Sequence, residues 1–380
     1  MSDSSVYEPR AAASSPTLPL NAADNKDVAI NAWRGIAALL VAFFHCRQVT
    51  WVGMQQFHRA APAWDANTVI SYLTFPIAWG SAGVPIFFVI SGYCIHRAMA
   101  RRLIADPLTP LNSGNFLMRR FARICPVLIA ALVLTFALDS LSSTFEPVSH
   151  KINPFDLQAF LVNLFSLQGI AGKTFGSNGA LWTLSIEVQF YLVYPLLLAL
   201  RRRVGMRGVL VFVGLVNILS ALVFERHLIV IFTSYWFSWT LGAWIAEAKV
   251  QGIRAPVRSG MIALLIALAG CGAFSIAQYA AFQLWALAFA VYLFGALDKP
   301  MRESASVRAF SWLGEFSFSL YVVHLPIFVL LASVLFRSAL QMEIWACFGF
   351  TACAVVVAYG FYFLVERPAM GWSARLKLKR

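Results

Sequence analysis

Charge is what this sequence has least of. Only 12% of its 380 residues are Asp, Glu, Lys or Arg, about half the roughly 25% of a soluble domain. Together with 60% hydrophobic residues, this excludes an ordinary soluble enzyme and indicates a chain that crosses a bilayer many times. Acids are scarcer than bases, 17 against 30. The net charge of +13 does not indicate nucleic acid, because the bases stand at the ends of apolar runs, where they hold loops in the cytoplasm.

Several patterns are missing. None of the six cysteines (Cys46, Cys94, Cys125, Cys271, Cys347, Cys353) lies in a CxxC or a Cys/His spacing. That argues against bound metal and against disulfides, and the thiols read as small buried residues. No basic, apolar and cleavage-site sequence precedes the first apolar run, so no removable leader is expected. No GxSxG surrounds Ser91, so a role for it as nucleophile is not supported. Motifs of the first half have no counterparts in the second, which weighs against an inverted-repeat transporter.

What is present is a series of long apolar runs. They predict an all-α integral membrane bundle of about ten spans, near 29–47, 69–96, 124–141, 181–200, 208–224, 228–247, two within 259–297, 311–336 and 343–365. Placing the basic clusters inside puts both termini in the cytoplasm. Residues 1–27 read as a disordered cytoplasmic tail, 28–368 as the membrane domain and 369–380 as a basic cytoplasmic tail. The stretch 142–180 is expected to be an extracytoplasmic loop. Its apolar run, about 155–170, is too short to cross and reads as interfacial or re-entrant.

The first span carries two ionisable residues, Arg34 and His45. Eleven residues are about three turns, so the two share a face about 16 Å apart. Such groups in an apolar helix mark a wet path, or else snorkel as anchors at opposite edges. In RRFARICP, Arg120 and Arg123 share a helical face suited to phosphate, or serve topology alone. In LWTLSIEVQFYLVYP, Glu187 is the only acid, on one face with Thr183, Tyr191 and Tyr194. It is positioned either to orient His45 or to make a structural pair. In GVPIFFVISGYCIHR, Ser91 could hydrogen-bond a ligand, although its glycine neighbours mostly serve packing. In LGEFSFSLYVVHLPI, Ser317, Tyr321 and His324 share a face beside Pro326. There His324 is equally a ligand contact or a satisfied structural residue.

Taken together and in this order, Arg34-x10-His45, FFVISGY, RRFARICP, LWTLSIEVQFYLVYP, LGEFSFSLYVVHLPI and VERPA resemble the bacterial acyltransferase-3 membrane O-acyltransferases over about 29–368. Tyr93 stands where Phe is usual and Phe318 where Tyr is common. The resemblance implies a multi-pass protein of the bacterial inner membrane that moves an acyl group, commonly acetyl, from acyl-CoA to a sugar hydroxyl, with no bound cofactor. It makes His45 catalytic and implicates Arg34, Arg120 and Arg123 in acyl-CoA use.

A mechanism consistent with this has His45 as general base or acyl carrier, with Glu187 polarising it. Trp182, Thr183, Ser185 and Tyr321 are candidates for the oxyanion. A glycan acceptor, possible in lipid-linked form, would approach from the outer side. The expected partners are thus acyl-CoA, a sugar or glycan and the bilayer. The competing readings are a polytopic transporter and a glycan-export partner without acyl transfer.

Overall fold

A computed structural model describes residues 22–60, 62–224, 227, 229–299 and 304–376. Residues 1–21 of the expected N-terminal tail and 377–380 of the C-terminal one therefore lie outside the described residues. In chain order the helices are α1 (Ala22–Thr50), α2 (Met54–Arg59), α3 (Ala66–Leu73), a 3-10 turn (Phe75–Ala82), α4 (Gly83–Ala105), α5 (Ser113–Ser142), α6 (Leu157–Leu164) and α7 (Leu181–Phe224). There follow α8 (Trp236–Val250), α9 (Ser259–Phe274), α10 (Gln278–Ala296), α11 (Ala305–Glu315), α12 (Ser317–Phe336), α13 (Trp345–Phe361), a π-turn (Tyr362–Glu366) and α14 (Arg367–Arg375). The described residues form no strand ladder, only two isolated bridges.

Seven of these runs are long and apolar enough to cross a membrane: Asp27–Thr50, Ala66–Ala105, Ser113–Ser142, Leu181–Phe224, Gln278–Ala296, Ser317–Phe336 and Trp345–Arg375. The difference from the ten expected has two sources. The runs near 181–200 and 208–224 are continuous as α7, whose 44 residues break at Gly205, with φ 68° and ψ 170°. Helices α8 and α9, of 15 and 16 residues, fall short of a full crossing length.

Helices suit this composition because hydrocarbon offers the backbone no other partner. Side-chain caps appear on α3, α5, α6 and α11, from Asp65, Asn112, Asp156 and Ser304, each accepting from the backbone N–H three residues on. Between buried helices, close packing takes over. A Cβ on Gly92 would strike the Trp239 carbonyl, and one on Gly242 would strike that of Val89, so α4 and α8 can touch only through glycine.

One buried polar knot locks α4, α7 and α8. The His96 ring meets Tyr194 Oη at 3.0 Å and Glu247 Oε1 at 2.9 Å, and Arg201 Nε and Nη2 donate to the same carboxylate at 2.9 and 3.2 Å. This bidentate arrangement gives a buried carboxylate the partners it requires.

The segment 142–180 does not cross. Its helix α6 has eight residues, about 12 Å, against a core of about 30 Å. Leu157 and Leu161 on it and Phe165 just after it are exposed, in keeping with an interfacial position. The rest of the segment dips back into the bundle. Ser177 donates through N–H and Oγ to the buried Asp139 carboxylate, both at 2.6 Å. Asn178 Nδ2 donates to Thr135 Oγ1 on α5 and to the Val322 carbonyl on α12. That carbonyl needs an outside donor because Pro326, four residues on, has no N–H to offer.

Candidate active site

The expected basic residues meet in one cavity of about 460 Å³ between α1, α4, α5, α7 and α12. Arg34, Arg120 and Arg123 line one end, with Ser91, Glu187 and Tyr191 further in and Val84, Phe87, Thr183 and Tyr321 at the far end. From Ile95 to Val84 the cavity follows α4 for about 16 Å. Arg34 reaches it because α1 lies directly on α11: a Cβ on Gly35 would strike the Phe310 carbonyl, and one on Gly314 the Asn31 carbonyl.

None of the three arginines makes an ion pair with a described residue. Arg120 lies over the rings of Phe116 and Tyr191, at 5.5 and 5.7 Å. Three carboxylates share the lining, the exposed Glu315 and two that accept from neighbouring hydroxyl or N–H groups. Glu187 accepts from Ser91 Oγ at 3.1 Å and Tyr191 Oη at 2.5 Å, and Glu366 accepts from Ser319 N–H and Oγ at 3.1 and 2.6 Å. Half-buried guanidiniums that make no ion pair among the described residues are free to receive a ligand that brings phosphate or carboxylate.

His45 does not line this cavity. It lies beyond the far end, where its Nδ1 is 2.8 Å from His324 Nε2, and the two rings meet edge to edge, with centroids 5.1 Å apart and planes 6° from parallel. His324 Nδ1 is 3.0 Å from the Leu320 carbonyl. A carbonyl only accepts, so His324 Nδ1 carries hydrogen. In the neutral pair His324 Nε2 must then accept from His45 Nδ1–H, which leaves His45 Nε2 as an unprotonated lone pair. His324 is fully buried, whereas His45 keeps partial exposure.

The structure therefore gives His45 a different partner from the one expected. Glu187 sits with the arginines, hydrogen-bonded to Ser91 and Tyr191, and it is His324 that touches His45. Of the other expected contacts, Ser91, Thr183 and Tyr321 line the cavity. Trp182 does not; it packs on Phe88, Tyr235 and Phe282. Ser185 faces the loop, donating to the Ser166 carbonyl at 2.6 Å. Tyr194 belongs to the His96 knot. Sequence reasoning missed Phe87 and the lining role of Glu366. Phenylalanine in an apolar helix carries no signal of its own, whereas Glu366 had one, as an acid inside VERPA.

Fold and site together define a polytopic helical membrane protein with an arginine-lined cavity leading toward an imidazole pair. A family model described as an acyltransferase domain, of the acyltransferase-3 type, matches residues 27–363. The chain belongs to the acyltransferase-3 family.

Among relatives, it is 29% identical over 149 residues to nodulation protein 10 of Rhizobium leguminosarum bv. viciae, covering 36% of this chain and 38% of that protein. It is 30% identical over 173 residues to a Bacillus subtilis (strain 168) protein provisionally named peptidoglycan O-acetyltransferase YrhL, covering 38% and 24%. It is 30% identical over 159 residues to protein 2 in the picA locus of Rhizobium radiobacter, covering 40% and 69%. The matches thus span well under half the length of the first two relatives. No solved structure matches the chain.

Proposed function

We propose that this protein is an O-acyltransferase of the bacterial inner membrane that moves an acyl group, acetyl by preference, from cytoplasmic acyl-CoA to a hydroxyl of a sugar or cell-surface glycan. The observation that carries the reading is the set of three arginines, unpaired among the described residues, on a cavity that runs toward the His45–His324 pair. Basic clusters on the inner face support a ten-crossing topology with both termini in the cytoplasm, counting α7 as two crossings about Gly205 and including α8 and α9.

In this reading the CoA phosphates are held by Arg34, Arg120 and Arg123. The pantetheine arm follows the cavity to the Phe87–Tyr321 end, which puts the thioester nearest the imidazoles. The acceptor comes to the exposed side of His45. His45 Nε2 takes the proton of the acceptor hydroxyl as its oxygen bonds to the thioester carbonyl carbon. The C–S bond then breaks, and the CoA thiolate leaves with the proton from the His45 imidazolium. Thr183 and Tyr321 hydroxyls are the candidates for stabilising the oxyanion, since both line the far end. His324 acts through His45, holding its tautomer.

Detergent-purified full-length protein incubated with radiolabelled acetyl-CoA tests the proposal. Label transferred to a glycan or released to water, and lost in His45→Ala, supports it. Absence of acyl-CoA binding overturns it in favour of a transporter or an export partner.

A further inference from the structure

The donor cavity stops one helical turn short of the imidazole pair. On α12 its lining ends at Tyr321, three residues before His324. The Tyr321 ring stands edge-on to Phe87, with centroids 5.5 Å apart and planes at 77°, and 5.8 Å from the His324 ring on its other side. Its hydroxyl is 2.9 Å from that of Thr183. Tyr321 is thus braced on two sides, by an aromatic ring from α4 and a hydroxyl from α7, while Phe87 itself is only half-buried. The cavity is also graded in polarity. Guanidiniums lie at one end, and Val84, Phe87 and Phe88 surround the other. The polar end suits phosphates and the apolar end suits the acyl chain.

We infer that Phe87 and Tyr321 form the wall that sets acyl-chain length, admitting a short acyl group such as acetyl and rejecting longer ones. This rests on the acyl-transfer reading and adds to it the class of donor. An acyl group that ends at this wall leaves its thioester carbonyl beside Tyr321, the ring that touches His324. Each further methylene has to displace the Phe87–Tyr321 contact, or else draws the carbonyl back toward the arginines. A fixed apolar wall discriminates against one added methylene by about 10- to 200-fold. Phe87 makes no ring contact with either imidazole, and Tyr321 keeps its Thr183 hydroxyl contact when Phe87 is shortened, so Phe87 is the position where the wall is moved back most directly.

The experiment compares acetyl-, butyryl- and hexanoyl-CoA as donors for the purified full-length protein, with wild type, Phe87→Ala and Phe87→Leu. The readout is kcat/KM for each longer donor divided by that for acetyl-CoA, so a general loss from misfolding cancels. The wild-type butyryl ratio is expected at or below about 1/100. Phe87→Ala is expected to raise it at least tenfold, with Phe87→Leu in between. If Phe87→Ala does not fold, a rise in Phe87→Leu alone decides the matter. A wild type that uses butyryl-CoA as well as acetyl-CoA overturns the inference, as do variants that keep the wild-type ratio, and both results leave acyl transfer standing. A wild type that transfers acyl from none of the donors overturns the acyl-transfer reading, and the inference with it.

Discussion

His45 and His324, 279 residues apart in the chain, share one hydrogen bond of 2.8 Å. Because His324 also bonds the Leu320 carbonyl, the bond has a direction, and it ends in a free nitrogen on His45. If His45 is the base, His324→Ala lowers kcat by about 10²-fold, within the range for general acid–base catalysis. The KM for acetyl-CoA moves little, since neither imidazole lines the donor cavity. His45→Ala removes the base itself and costs more, up to about 10⁴-fold. Steady-state kinetics with labelled donor separates the two.

The arginines should show the opposite split. Removing one charge-assisted partner of a phosphate costs about 1.5–3 kcal/mol. Arg120→Ala and Arg123→Ala are each expected to weaken acetyl-CoA binding by about 10- to 150-fold, with membrane insertion intact. Lys at either site recovers only part, because an ammonium cannot reproduce the two-pronged contact. Equilibrium binding of labelled acetyl-CoA, with quantified membrane protein as the control, reads both effects.

The His96–Glu247–Arg201 knot is predicted to be structural. It lies off the cavity lining, yet it fixes α4 and α7, which bring Ser91 and Glu187 to that cavity. Glu247→Ala leaves the buried His96 ring and the partly buried Arg201 guanidinium without their carboxylate and should cost about 3 kcal/mol of stability. The measurement is the unfolding midpoint in detergent. Acetyl-CoA affinity per folded molecule is expected to change far less than in the arginine variants.

Asn178→Ala leaves the Val322 carbonyl without its donor, at a cost of about 1–3 kcal/mol. Because Val322 lies two residues from His324, the variant should lower kcat as well as the unfolding midpoint. Asn178→Gln, which keeps an amide on a longer stem, recovers stability less well than wild type. A loss of stability with no change in kcat would mean that the loop does not position His324.

Much of this was legible in the chain. Arg34-x10-His45 and the Arg120/Arg123 pair marked residues that the structure places around the cavity or just beyond it, because ionisable groups in apolar helices are rare enough to stand out. Pairing across the bundle was not legible. The sequence offers Glu187 as the partner of His45 and gives no sign of His324 in that role, because the pairing depends on how α7 and α12 are rotated, which periodicity within one helix does not report. Trp182 and Ser185 flank Thr183 in sequence, yet they leave the cavity, since adjacent helical residues point about 100° apart. The short α8 and α9 were obscured because hydropathy registers apolarity better than helix length.

The proline in α12 has a wider consequence. By freeing the Val322 carbonyl, Pro326 makes the turn that carries His324 depend on an amide borrowed from a loop 144 residues earlier. Reactive geometry and loop docking are thereby coupled. Whatever pulls residues 171–180 out of the bundle, a bulky acceptor included, also loosens the turn on which catalysis would depend, and whatever seats them restores it.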